Sequence, residues 1–245
     1  LQATQQGFDT YQNEPDGAST RRAELQGIVF VKLTTMQLLE FKVPERNQRR
    51  HLLNRLTDAE KLFAVGNLDA LGRSYLRSYP EFVRYFDELS VIENNNTIIA
   101  SNFTFAWLPT IPRLALHLLD DVTRILNCAK RGALLDLEDF CIVQRFLGNS
   151  TVAASKLLHF VCPSNYVIWD GKVLAFLRLS DSTYPSNSNS PPSYLKFLNL
   201  CRELSDEPEI GAIRSSLTEK LRYPITSCRA IDFTMFAAKT GKSGN

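Results

Sequence analysis

Ser155, Lys156 and His159 interrupt a run that is otherwise apolar: Val152, Ala153, Ala154, Leu157, Leu158, Phe160 and Val161. A helix apolar nearly all round is a buried helix. The three polar residues fall one, three and four positions apart, which places them on one face. A lysine on a buried helix loses its hydration. That lowers its pKa and frees the amine as a nucleophile. Asp170 follows after an extended stretch holding Tyr166 and Trp169, and it stands where a helix N-cap belongs. A carboxylate there accepts backbone N–H bonds and stays ionised. The segment therefore offers a masked amine, a fixed negative charge and two flat rings within sixteen residues of chain.

Other chemistry-bearing patterns carry less. The tail reads Lys239-Thr-Gly-Lys-Ser243, but a phosphate-binding loop needs glycine five positions before Gly241, where Phe236 stands. HExxH, GxSxG and GxGxxG do not occur. The histidines, His51, His117 and His159, are too scattered to argue a metal site, and no cofactor is expected. Val167-Ile-Trp-Asp-Gly-Lys172 has a second reading, the Asp-x-Lys of a PD-(D/E)xK nuclease, whose carboxylates hold a divalent cation. That reading needs a mixed sheet, and strand candidates are few. Arg46, Arg49, Arg50, His51 and Arg55 form a basic stretch, read as a solvated helix face or as a phosphate-contacting surface.

The elements that must position these residues are mostly helical. After Pro44, residues 45–64 carry Leu52, Leu53, Leu56, Leu62 and Phe63 at helical spacing. Pro80 is expected to open a helix whose apolar side holds Phe82, Val83, Tyr85, Phe86 and Leu89. A helix from about Arg113 to Lys130 ends at Gly132. Asp136 caps one over 137–147, Ser150 caps one over 151–161, and Asp170 caps one over 171–179. Between these lie the turn Gly148-Asn149-Ser150 and the extended residues 163–169. Residues 180–193 hold six Ser, three Pro and two Asn and are expected to form a flexible loop. Helices follow at 193–204, 208–222 and 226–238. Residues 28–33 and 36–43 could pair as a short N-terminal β-hairpin, and 1–22 are expected to be disordered. The reading is a mostly α fold with about ten helices, in a single domain over 23–245.

Composition excludes some function classes. The chain has 245 residues, 44% hydrophobic and 22% charged, with 28 Lys plus Arg against 26 Asp plus Glu. A net charge of +2 excludes a polybasic nucleic-acid tail but not a local basic groove. Residues 210–245 hold six basic side chains against two acidic ones, while Asp120-Asp121 and 136–139 are acidic. No apolar run is long enough to span a bilayer, and the polar start of the chain does not resemble a signal peptide. The five cysteines are odd in number, lack CxxC spacing and read as buried free thiols. The three glycosylation sequons, at Asn95, Asn102 and Asn149, then read as chance matches. The expected location is cytoplasmic or nuclear.

The stretch Phe146-Leu-Gly-Asn-Ser-Thr-Val-Ala-Ala-Ser-Lys-Leu-Leu-His-Phe160, continued through Asp170, resembles the helix-hairpin-helix DNA glycosylase superfamily, and especially its 8-oxoguanine glycosylase branch. The resemblance covers roughly residues 95–180. It implies a two-lobed helical fold, with Arg229-Ala-Ile-Asp-Phe-Thr-Met-Phe236 in a closing helix. By the same resemblance Lys156 would be the Schiff-base lysine and Asp170 the catalytic aspartate. Ser155, His159, Tyr166 and Trp169 would line the substrate pocket. Gly148, Asn149, Ser150, Lys172, Arg49 and Arg50 would contact the nucleic-acid backbone. The implied partner is DNA, with RNA left open, and the implied setting is DNA repair or anti-phage defence. The hairpin here has one glycine. Aligning it on the family's hairpin places Thr151 or Val152 at the lysine position, which implies a monofunctional or inactive relative. A catalytically inactive module binding nucleic acid, a modified nucleoside or a protein is the alternative.

Overall fold

A computed structural model describes residues 46–62, 73–108 and 110–240. The chain divides into two units, Leu1–Lys42 and Val43–Asn245, and every described residue lies in the second. The expected disordered segment 1–22 and the hairpin over 28–33 and 36–43 lie outside the described residues.

Ten α-helices and one short 3-10 turn are described: α1 Arg46–Lys61, α2 Arg73–Asp87, α3 Asn94–Ala106, the turn Leu116–Leu118, α4 Leu119–Lys130, α5 Leu137–Phe146, α6 Thr151–Val161, α7 Gly171–Arg178, α8 Pro191–Leu204, α9 Pro208–Leu221 and α10 Ser227–Thr240. Among the described residues there is no strand, and no helix is long and apolar enough to cross a membrane.

Local chemistry sets the ends of the elements. Asp136 accepts the Asp139 amide, Ser150 the Ala153 amide, and Asp170 the amides of Lys172 and Val173. Each cap satisfies N–H groups that have no partner inside the helix. Pro191 and Pro208 open α8 and α9, where a missing N–H costs nothing. Between α5 and α6, Gly148 and Asn149 both take positive φ, at 66° and 63°. A Cβ on Gly148 would also meet the Arg113 carbonyl at 3.2 Å, so the hairpin needs glycine there.

Two expectations shift. Pro80 opens no helix. It lies inside α2, which begins at Arg73 and places Tyr79 and Phe86 in the core. Burial of those rings outweighs the lost backbone bond. The helix expected from Arg113 starts later. Residues 111–115 are irregular after Pro109 and Pro112, and the α-helix begins only at Leu119.

Helix α6 is central: α2, α3, α4, α5 and α8 all pack on it, and only Val152 among its residues is not buried. Helix α10 gathers α1, α7, α8 and α9. Each fully buried Leu or Phe in such a core contributes about 1.5–3 kcal/mol. The extended residues between Cys162 and Asp170 pass from α6 to α7 and lie against α10. The site is built along that passage.

Candidate functional site

Lys156 is 5% exposed, and its Nζ donates to the Trp107 carbonyl at 3.2 Å. Trp107 is the C-cap of α3, so the ammonium sits at the negative end of that helix. The amine also lies 5.9 Å from the centre of the Trp107 ring. Burial lowers the lysine's pKa to about 8. The charge of Asp170 opposes that fall, Arg229 adds to it and Asp232 opposes it. Lys156 and Asp170 therefore share one electrostatic neighbourhood. Asp170 is half-buried, and its Oδ1 takes the Lys172 and Val173 amides, both at 2.9 Å.

The face shared by Ser155, Lys156 and His159 divides its partners. Lys156 reaches α3, while Ser155 and His159 hold the extended segment. Ser155 Oγ accepts the Trp169 amide at 3.0 Å. His159 Nδ1 is 2.7 Å from the Tyr166 carbonyl, and Nε2 is 2.9 Å from the Tyr79 hydroxyl. A carbonyl only accepts, so Nδ1 carries the proton and Nε2 accepts from Tyr79. Burial, reinforced by Arg229, pushes the imidazole down to about 3, so it is neutral at pH 7.

Tyr166 and Trp169 are fully buried and spend their polar atoms on the fold. The Tyr166 hydroxyl donates to the Ala133 carbonyl at 2.8 Å, and the Trp169 indole donates to the Ser188 carbonyl at 2.7 Å. Both bonds tie down the extended segment that leads to Asp170.

The third anchor comes from α10. Asp232 Oδ2 accepts the Ile168 amide at 2.9 Å, two residues before Asp170. Its Oδ1 accepts from Arg229 Nη1 at 2.6 Å. Both side chains are 1% exposed. Burial pushes the Asp232 carboxyl up to about 7, with Arg229 and the Ile168 amide pulling the other way. Burial also disfavours the Arg229 charge, yet Asp232 holds its pKa above the ordinary arginine value. Arg229 lies over the Tyr79 ring at 4.4 Å, and its Nη2 donates to the Tyr75 hydroxyl at 3.4 Å. Its Nε has no hydrogen-bond partner.

An aromatic group borders the lysine. Tyr75 stacks on Trp107 with ring centres 4.0 Å apart and on Phe236 at 5.6 Å. Lys172 places its ammonium 4.3 Å from the centre of the Phe236 ring. Sequence reasoning did not single out Tyr75, Arg229 and Asp232 as site residues. The one available signal was an Arg and an Asp three positions apart on an otherwise apolar helix.

The hairpin residues border a separate groove of about 340 Å³, whose walls include Phe105, Leu108, Arg113, Gly148, Ser150 and Val152. Val152 precedes Lys156 by four residues, just over one helical turn and about 6 Å of rise, and Leu108 follows Trp107 directly. The groove thus includes a residue of α6 one turn before Lys156 and the residue after Trp107. Ile111, 90% exposed, stands on its rim.

Arg49 and Arg50 are not brought to this region as free cations. Arg49 pairs with Glu203 at 3.4 Å and Arg50 with Glu209 at 2.8 Å, fastening α1 to α8 and α9. Arg55 donates to the Phe176 carbonyl and to Ser180. Among the described residues, no group of three or more His, Cys, Asp or Glu side chains comes together as a metal site requires. Comparison with protein-family models, curated proteins and solved structures gives no match, so the site is read from its own geometry.

Proposed function

We propose that this protein is a nucleobase-directed DNA glycosylase or glycosylase/lyase with a two-lobed helical architecture. The observation that carries the reading is Lys156. It is a desolvated lysine with its pKa brought down to about 8, on the helix whose preceding turn lines a groove, in the field of the capped carboxylate Asp170. In this reading a base turned out of the stack enters beside Trp107. Asp170 stabilises the positive charge that develops on the sugar as the glycosidic bond breaks. The Lys156 amine attacks the sugar carbon, and the base leaves. The hairpin Gly148-Asn149-Ser150, with Arg113 beside it, faces the phosphates. The nuclease reading finds no support: Asp170 opens a helix, and the described residues form no sheet.

The test is borohydride trapping on oligonucleotides carrying oxidised, alkylated or abasic sites. A covalent adduct is expected with the wild-type chain and none with Lys156→Ala, with trapping strongly reduced in Asp170→Asn. Absence of both cleavage and adduct on every substrate would sink the lyase form.

One observation favours a second reading, a non-catalytic module on the same fold. The Lys156 amine is committed to the Trp107 carbonyl, which is how a purely structural helix-capping lysine behaves. Full nucleic-acid or nucleoside binding by Asp170→Asn, with no turnover by either form, would select that reading.

A further inference from the structure

The reading above requires a flat ring to enter beside Trp107, the partner of Lys156, and in the structure a ring is already stacked there. Tyr75 stacks on Trp107 with ring centres 4.0 Å apart, the residue whose backbone carbonyl holds the amine and whose ring centre lies 5.9 Å from it. Tyr75 and Lys156 thus meet the same residue, the phenol ring through the indole and the amine through the backbone carbonyl. We propose that Tyr75 is a plug: in the free protein it fills the place beside Lys156 where a substrate ring stacks, and it withdraws when that ring enters. The proposal rests on the glycosylase reading for the identity of the ligand, a heteroaromatic ring bearing hydrogen-bond acceptors.

Three features fit a withdrawable side chain better than a core one. Tyr75 belongs to the first turn of α2, where backbone N–H groups have no partner within the helix, so this turn is the least anchored part of it. Tyr75 keeps some solvent exposure, whereas Tyr79, one turn on, is fully in the core. Its hydroxyl is held by a long 3.4 Å bond from Arg229, while the Nε of that guanidinium is buried with no partner. A buried donor left unmade is costly. A phenol satisfies one donor of Arg229 weakly and leaves Nε–H unmet. A base offering ring nitrogen and carbonyl acceptors is chemically suited to take both.

The test reads the accessibility of the amine and needs no nucleic acid. Lys156 is methylated with formaldehyde and a borane reductant, and its rate is followed by peptide mass spectrometry. In the wild-type chain Lys156 reacts slowly. Tyr75→Ala is expected to speed it roughly tenfold, the scale of two lost ring–ring contacts. Tyr75→Phe keeps the ring and stays within a few-fold of wild type. An unchanged rate in a folded Tyr75→Ala protein overturns the plug. Should Tyr75→Ala not fold, the wild-type rate is measured in urea below the unfolding midpoint. Withdrawal of one side chain gives a shallow rise with urea, whereas a rate that follows only global unfolding overturns the proposal. The two readings fail separately. An exposed lysine in Tyr75→Ala without trapped oligonucleotide keeps the plug and rejects the glycosylase. Trapping by wild type with no effect of Tyr75→Ala does the reverse.

Discussion

The Lys156 ammonium donates to the Trp107 carbonyl at 3.2 Å, joining the central helix to the end of one that closes 49 residues earlier. The bond satisfies a helix-end carbonyl and keeps the amine out of water, and these two effects oppose each other. The folded pKa of about 8 lies below the unfolded value of about 10.4. The unfolded chain holds the proton more tightly between those values. Below pH 8 the fold therefore bears the cost of a buried charge, and the cost is relieved as pH rises towards 10.4. Lys156→Met keeps the stem and removes the charge. At pH 7 it is expected to be more stable than wild type by up to about 3 kcal/mol, less about 1 kcal/mol for the lost hydrogen bond. Urea midpoints at pH 7 and pH 10 check this: the gap should narrow at the higher pH, and a constant gap counts against it.

His159 works in the acid range. Its folded pKa of about 3 lies below the unfolded value of about 6.5, so the unfolded chain takes up the proton first and stability is lost as pH falls through that window. Between pH 6.5 and 5 the loss amounts to about 2 kcal/mol. His159→Asn keeps a donor towards the Tyr166 carbonyl without a titrating ring. The difference between the two stability curves isolates the imidazole from Asp232, whose raised carboxyl favours the fold as pH drops. Parallel curves between pH 7 and 5 would reject this assignment.

Arg229 and Asp232 form a buried pair, and breaking one side leaves an uncompensated charge. Arg229→Met and Asp232→Leu are each expected to cost roughly 3–5 kcal/mol. The double variant should cost less than their sum by about 2–3 kcal/mol. It remains below wild type because the Ile168 amide has lost its acceptor. Chemical denaturation of the four proteins completes the cycle, and strict additivity would show that the pair does not act as one unit.

Asn189 fastens the connection between α7 and α8 to the hairpin. Its Oδ1 accepts from the Thr151 amide at 3.0 Å, the Thr151 hydroxyl at 2.9 Å and Gln144 Nε2 at 3.1 Å. Asn189→Ala strands buried donors and is expected to cost about 1–3 kcal/mol, far more than an ordinary surface-loop change. Hydrogen exchange at the first turn of α6 should accelerate with it. A change within 0.5 kcal/mol would mean the loop is not fastened here.

Helix ends and the buried character of α6 were legible because they are local. A Ser or Asp one residue before an apolar run accepts from N–H groups within the next turn, whatever the rest of the chain does. Ser150 and Asp170 act in this way, while Pro191 and Pro208 serve as first helical residues, where no N–H is needed. The path of α2 through Pro80 was not legible, because core packing of Tyr79 and Phe86 overrides a local breaker. The loop over 180–193 reads as polar and flexible by composition. Its bonds to Trp169, Thr151 and Gln144 come from elements far along the chain.

The sequence by itself determined that a lysine lies on a buried helix, α6, and that an aspartate caps the next helix, α7. Spacing and capping act over one or two turns. Only the tertiary structure decided which atoms those residues meet. The carbonyl of Trp107, the amide of Ile168 under Asp232 and the ring of Tyr75 are separated from their partners by tens of residues. No periodicity encodes which side chain fills a shared volume once helices pack. That is fixed by shape and by the need to satisfy every buried polar group.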